Sequence, residues 1–298
     1  MTPDARTVVI VGGTSGLGRA CATALAADPG WTVVITGRDP EHVAREATAI
    51  GVRGLPLDLG SLASIAEFAT ALRTADLPPL RALVCNAGVQ FTRRVHTADG
   101  VEATFGVNHL GHFALVQALL PDLVAPARVV FVTSGTHDPG RFTGMPHPLP
   151  VSARDLARPP APTEPAHVDG RRRYSTSKLA NLLTTYELAR RLADEGVTVN
   201  AFDPGLMPGT GLARDASPIT RALWRTVARA LVALPGVRTP ARSGADLARL
   251  VTDPALAGTT GRHFVGRAER PSSTASYDRD TQRALYEDSV ALVAELAR

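Results

Sequence analysis

The run Thr7-Val8-Val9-Ile10-Val11-Gly12-Gly13-Thr14-Ser15-Gly16-Leu17-Gly18 decides how this chain is read. Five β-branched residues predict a strand. Gly12, Gly16 and Gly18 follow at G-x-x-x-G-x-G spacing and open into an Ala-rich helical stretch. Glycine permits a tight turn and lets backbone N–H groups approach an anion at the positive end of the next helix. A plain strand-to-helix turn would use glycines too. Their place between a strand and a helix so early in the chain favours a dinucleotide. Gly12, Thr14, Ser15, Gly16, Leu17 and Gly18 are the candidate cradle.

Outward from this run the same alternation repeats. Strands are predicted at 7–11, 32–36, 55–57, 82–85, 129–133, 197–202 and 261–265, and helices at 19–27, 41–49, 61–72, 101–120, 175–194 and 244–251. Seven strands alternating with helices predict an α/β, Rossmann-type doubly wound parallel sheet with helices on both faces, in one domain over 1–298. Ligands bind such sheets beyond the carboxyl ends of the strands. Two segments break the rhythm. Residues 139–165 are proline-rich and are expected to be irregular. They form most of an insertion, 135–173, expected near the active site. In 206–240, Ile219, Leu223, Val227 and Leu231 alternate with Arg221, Arg225 and Arg229 along 217–234. This basic amphipathic helix reads as a substrate lid, ahead of a peripheral membrane contact or a subunit interface.

Composition bounds the function. The chain has 298 residues, 44% of them hydrophobic, with a mean hydropathy of +0.02, enough for a sizeable core. No apolar run is long enough to span a bilayer, and the polar start, 1–6, carries no signal-peptide core. The two cysteines, Cys21 and Cys85, exclude a disulfide framework and fit a reducing cytoplasm. Aromatic content of 5% and the lack of a DNA- or RNA-binding motif argue against nucleic acid. The net charge of +4 is most simply matched to an anionic small molecule.

The second strand ends Ile35-Thr36-Gly37-Arg38-Asp39. An acidic residue at this place would hold the ribose 2′-hydroxyl of NAD, but Gly37 and Arg38 stand there, and an arginine fork grips a 2′-phosphate. NADP is therefore preferred over NAD, with Asp39 taking the ribose as the alternative. Asp58, followed by Leu59, either meets the adenine amino group or caps the helix starting near Ser61. The small residues of Asn86-Ala87-Gly88 let the backbone lie along the adenine ribose.

Tyr174 and Lys178 lie four apart on a predicted helix, hence on one face. A nearby ammonium, together with the cofactor's positive ring when oxidised, is expected to lower the tyrosine pKa, making a general acid for carbonyl reduction and a base for alcohol oxidation. Ser134 ends the fifth strand with a hydroxyl able to bind a substrate oxygen. Asn108 is a poor mid-helix residue and is expected to hold a water beside Lys178. His109 and His112, three apart, have no third ligand at metal spacing, so no metal is expected. Arg171-Arg172-Arg173 reads as a solvated loop rather than a steering patch.

Taken together these motifs resemble the short-chain dehydrogenase/reductase superfamily over essentially the whole chain. The likeness is greatest to its retinol dehydrogenase and protochlorophyllide reductase-like group. Thr36-Gly37-Arg38-Asp39, Thr97-Ala98-Asp99-Gly100, 107–112 and Ser177-Lys178-Leu179-Ala180-Asn181 carry it. The resemblance implies a catalytic tetrad of Asn108, Ser134, Tyr174 and Lys178, with Tyr174 as acid/base and Lys178 also on the nicotinamide ribose. It further implies Pro204 and Gly205 beside the nicotinamide, Thr210 on the carboxamide or diphosphate, and homo-oligomers as common assemblies. The activity implied is hydride transfer between NADP and a carbonyl or alcohol of some bulk. Reduction of a conjugated C=C bond and a non-catalytic NADP sensor are the alternatives. The chain departs from the family at Val11 and Cys85, and in the forty positions between Ser134 and Tyr174.

Overall fold

The structure is a computed structural model and describes residues 5–207 and 237–298. It opens with β1 (Arg6–Val11), α1 (Gly16–Ala26), β2 (Trp31–Gly37), α2 (Pro40–Ile50), β3 (Arg53–Pro56), α3 (Leu62–Thr74) and β4 (Leu80–Cys85). Next come α4 (Ala103–Phe105), a π-helical turn (Gly106–Leu110) and α5 (Gly111–Leu119). The chain continues with β5 (Leu123–Val132), the short α6 (Ala153–Ala157), α7 (Ala166–Arg191) and β6 (Val197–Asp203). It closes with α8 (Pro240–Thr252), β7 (His263–Val265), β8 (Ala268–Glu269) and α9 (Arg279–Leu296).

The sheet order is β3-β2-β1-β4-β5-β6-β7-β8. The seven expected strands pair in parallel, with Ile10 level with Ile35 and Val11 level with Cys85. β8 is an addition to that expectation. Its two residues turn back at Gly266, where φ is +58°, and pair antiparallel with β7. Val9, Val11, Leu83, Cys85 and Phe131 pack beneath α3, α5 and α7. Val8, Ile10, Ile35, Val84 and Phe202 pack beneath α1 and α8. Both faces of β1 are thus covered, which is why it reads as an unbroken apolar run. α8 crosses α1 closely at Gly244, where a Cβ would lie 2.6 Å from Ala20.

Three expectations are corrected. α7 starts at Ala166, not 175, because Pro165 can precede a helix and Asp169 supplies an acid to its first turn. The proline-rich stretch holds one short helix, α6, capped by Ser152. α9, for which no element was predicted, packs Leu285 and Leu292 against Leu156, Leu179 and Leu183. Among the described residues no helix is long and apolar enough to cross a membrane. The amphipathic stretch 217–234 and Thr210 lie outside the described residues, as does most of 206–240. Its ends, Leu206 and Val237, meet in a parallel bridge.

Candidate active site

Strand order reverses between β1 and β4, and a cleft of about 1160 Å³ opens beyond their carboxyl ends. That exceeds the ~300–1,000 Å³ of ordinary small-molecule sites and leaves room for a dinucleotide with a second ligand.

At one end lies the glycine loop. Gly12 and Gly16 hold φ of +72° and +54°, a region that disfavours side chains. A Cβ on Gly18 would sit 2.3 Å from the Gly12 carbonyl oxygen, so Gly18 serves close packing under the loop. Leu17 packs in the core and also borders the cleft. Ser15, at the N-cap of α1, makes no capping hydrogen bond, so the first N–H groups of the helix lack a side-chain partner. That is the cradle a diphosphate needs.

Arg38 is exposed on the cleft and pairs with no described residue. The Asp39 carboxylate accepts the Glu41 and His42 N–H groups at 3.0 and 3.2 Å and caps α2. Asp39 Oδ1 is engaged in the helix cap, while Arg38 has donors free for a phosphate. Asp58 accepts the Gly60 N–H at 2.9 Å and borders the cleft, whereas α3 is capped by Ser61. Leu59 is buried. Asn86 donates to the Val11 and Gly12 carbonyls at 2.9 and 3.1 Å and thereby holds the glycine loop. Ala87, Gly88, Pro204 and Gly205 line the cleft. A Cβ on Gly88 would come 3.4 Å from Lys178 Nζ and 3.6 Å from Asn108 Oδ1. Glycine there keeps open the space where a nicotinamide ribose would reach Lys178. These residues fit an NADP-type dinucleotide.

At the other end the four tetrad residues converge. Tyr174 and Lys178 stand one turn apart on α7, with Nζ 5.5 Å from the phenol ring centroid. Lys178 donates to the Val132 carbonyl at 3.1 Å. Burial pulls its pKa down to about 8, partly opposed by Asp203. Burial pushes the Tyr174 phenol up, and Asp203 adds to the rise, against a hydrogen bond with Ser134. Desolvation is thus the largest influence on the phenol in this enclosed site, while the expected lowering also draws on the oxidised ring of a bound cofactor.

Asn108 sits in the π-helical turn, where the Gly111 N–H reaches back five residues to Gly106. Its amide donates to Val89 O at 2.9 Å and Ser177 Oγ at 3.0 Å, and its Oδ1 accepts the Val89 N–H at 2.7 Å. Both its side-chain N–H groups are used, so Asn108 clamps the segment after β4 to α7. His112 Nδ1 meets the Asn108 carbonyl at 3.1 Å, and His109 Nδ1 meets Asn181 Oδ1 at 3.2 Å. Burial lowers their pKa values to about 3 and 4, so both rings are neutral packing groups. Among the described residues no cluster of His, Cys, Asp or Glu could hold a metal.

Arg171-Arg172-Arg173 lies on α7, a correction to the loop reading. Arg172 pairs with Glu164 at 2.7 Å. Arg173, only 5% exposed, pairs with the buried Glu102 and with Asp169, and also donates to Thr104 Oγ1 at 3.0 Å. Sequence reasoning also missed His137, whose Nδ1 donates to the Ser134 carbonyl at 2.6 Å while Nε2 accepts the Ser273 N–H at 3.2 Å. Nothing local signals that link, since its partner is 136 positions away.

The family model for short chain dehydrogenase matches residues 6–145. Protochlorophyllide reductase of Avena sativa is 36% identical over 274 residues, 84% of this chain and 86% of its own length. Chloroplastic protochlorophyllide reductase A of Triticum aestivum is 37% identical over 272 residues, 84% of this chain and 69% of its own. Among solved structures, an uncharacterized protein from Mycobacterium Paratuberculosis superposes with a TM-score of 0.69 at 32% identity, covering 97% of this chain and 93% of that one. The NADP active-site complex of Pseudomonas aeruginosa RhlG does so with 0.65 at 25%, covering 89% and 97%. With its glycine loop, tetrad and sheet order, the chain belongs to the short-chain dehydrogenase family, in the group that includes the protochlorophyllide reductases.

Proposed function

We propose that the protein is an NADP-dependent reductase that passes a hydride to a carbonyl carbon and, in reverse, oxidises the alcohol. One observation carries this reading: Tyr174, Ser134 and Lys178 line the same cleft, with Lys178 Nζ 5.5 Å from the Tyr174 ring centroid. Two hydroxyl donors on one cleft suit a single acceptor oxygen, and a carbonyl oxygen is such an atom. Bound NADPH supplies the hydride. Burial keeps Tyr174 neutral and therefore able to give its proton to the oxygen as negative charge develops there. Ser134 donates a hydrogen bond to the same oxygen. Lys178 is protonated below its pKa of about 8, and its ammonium stabilises the phenolate left by transfer and returns a proton to it. Asn108 fixes α7 to the segment after β4, which sets where Tyr174 and Lys178 stand.

A second reading, reduction of a conjugated C=C bond, is favoured by the relatives at 36% and 37% identity, which are named protochlorophyllide reductases. One substrate separates the two: an α,β-unsaturated ketone incubated with NADPH and resolved by proton NMR. Carbonyl reduction yields the allylic alcohol. A saturated ketone would replace the proposal with the second reading. A lack of any NADPH-dependent product across aldehydes, ketones and enones would favour a cofactor-binding sensor.

A further inference from the structure

The tetrad's wall continues into the insertion. Directly after Ser134 the chain makes a short turn (Gly135–His137), anchored by the two ring contacts of His137 described above. A second turn follows, in which the Asp138 carbonyl accepts the Arg141 N–H at 3.1 Å and the Asp138 carboxylate accepts that of Gly140 at 2.9 Å. These turns carry Arg141 back over the active site. A side chain on Gly135 would come 3.4 Å from its Nη1. The guanidinium thus lies beside the residue that immediately follows Ser134.

Arg141 is only loosely tied. Its Nη1 is 3.7 Å from Asp203 Oδ2, an ion pair too long for a hydrogen bond. Its side chain is half exposed, and it makes no side-chain hydrogen bond with any described residue. A guanidinium carries five donors in a planar fork that matches a carboxylate. The other arginines on this cleft are placed differently: Arg238 is locked to Asp246, and Arg38 stands at the β2 end. The cleft that holds Arg141 also exposes apolar side chains among the described residues: Phe142 fully, and Val95 and Leu206 in part. Apolar side chains on a cleft with one loosely tied charged group suit an amphipathic ligand.

The geometry points to Arg141 as a specificity-determining residue that pairs with an acidic group on the substrate. The ligand would be an amphipathic molecule with an apolar body and a carboxylate a few bonds from the reducible carbonyl. This rests on the carbonyl reading proposed above. A different role would be to shield Asp203. That carboxylate also faces Tyr174, Lys178, His137 and His263 and accepts the Gly205 N–H, so losing the shield would act on every substrate alike.

The test uses the full chain saturated with NADPH and a matched pair, an aromatic keto acid and its methyl ester. Arg141→Gln is expected to raise KM for the acid relative to the ester by about 10- to 100-fold, the worth of one charged pair, and Arg141→Lys to restore part of it. An equal change for acid and ester overturns the proposal. Calorimetric titration of the NADP-saturated protein with phenylbutyrate and its amide gives a readout independent of turnover. The acid binds more tightly to the wild type and loses that advantage in Arg141→Gln. If this holds while neither keto compound is reduced, the carbonyl reading fails and the anion site stands. No advantage for the acid in the wild type, or a loss of NADP affinity in Arg141→Gln in its place, overturns the anion site.

Discussion

Lys178 is held in the fold at a cost to stability, and the cost can be measured. Its side chain is 3% exposed, and burial takes its pKa from 10.5 to about 8. Each unit is worth about 1.4 kcal/mol, so the ammonium form loses about 3 kcal/mol on folding. Set against this are the hydrogen bond to Val132 O and the contact with the Tyr174 ring, each worth about 1 kcal/mol. Desolvation is the larger effect. Lys178→Met keeps the volume and removes the charge, and Val132 O retains Asn181 Nδ2 as a donor at 3.3 Å. The variant is expected to be more stable than wild type at pH 7 by about 1 kcal/mol and to be inactive. Between pH 8 and 10.5 the unfolded lysine binds more protons than the folded one, so wild type gains stability with rising pH and the variant does not. The advantage of Lys178→Met therefore disappears by about pH 10 and reverses. Urea unfolding at pH 7 and pH 10 without added nucleotide reads both numbers. A variant less stable than wild type at pH 7, or a difference that does not change with pH, refutes the reasoning.

Arg173→Ala strands the buried Glu102 carboxylate, which is 1% exposed, and should cost about 3–5 kcal/mol in urea unfolding, with Glu102→Gln in the same chain recovering part of the loss. A cost below 1 kcal/mol would return Arg173 to the surface. Tyr174→Phe should lower kcat by about 10²–10⁴-fold while NADPH still binds in fluorescence titration. Arg38→Asp should raise KM for NADPH by about 10- to 100-fold more than for NADH, since the adjacent Asp39 is engaged in its cap. Gly18→Ala forces a methyl to within 2.3 Å of the Gly12 carbonyl and should abolish nucleotide binding, as a calorimetric titration would show.

The sheet was legible because its signals are local and repeat. A strand buried on both faces reads as a continuous apolar run, and the glycine loop lies wholly within twelve residues. The placement of Tyr174 and Lys178 on one helix face was legible for a related reason, since helix geometry alone fixes it, whereas Asn108 and Ser134 were joined to them by the family resemblance. α9 belongs to the same class: Leu285, Tyr286, Leu292 and Val293 repeat at helical spacing and were a usable signal. What sequence could not supply was the sign of a balance between distant groups. Three adjacent arginines look solvated until Glu102 and Asp169 are seen enclosing Arg173. A lysine four residues from a tyrosine predicts a lowered phenol pKa until the walls of the site are counted. With β5, β6 and the insertion turn around them, both groups lose water, which raises the phenol pKa and lowers that of the ammonium. The same enclosure keeps Tyr174 a proton donor and brings the Lys178 pKa to about 8. Local spacing and resemblance therefore brought out the candidate residues, while their pKa shifts follow from segments that meet only in the fold.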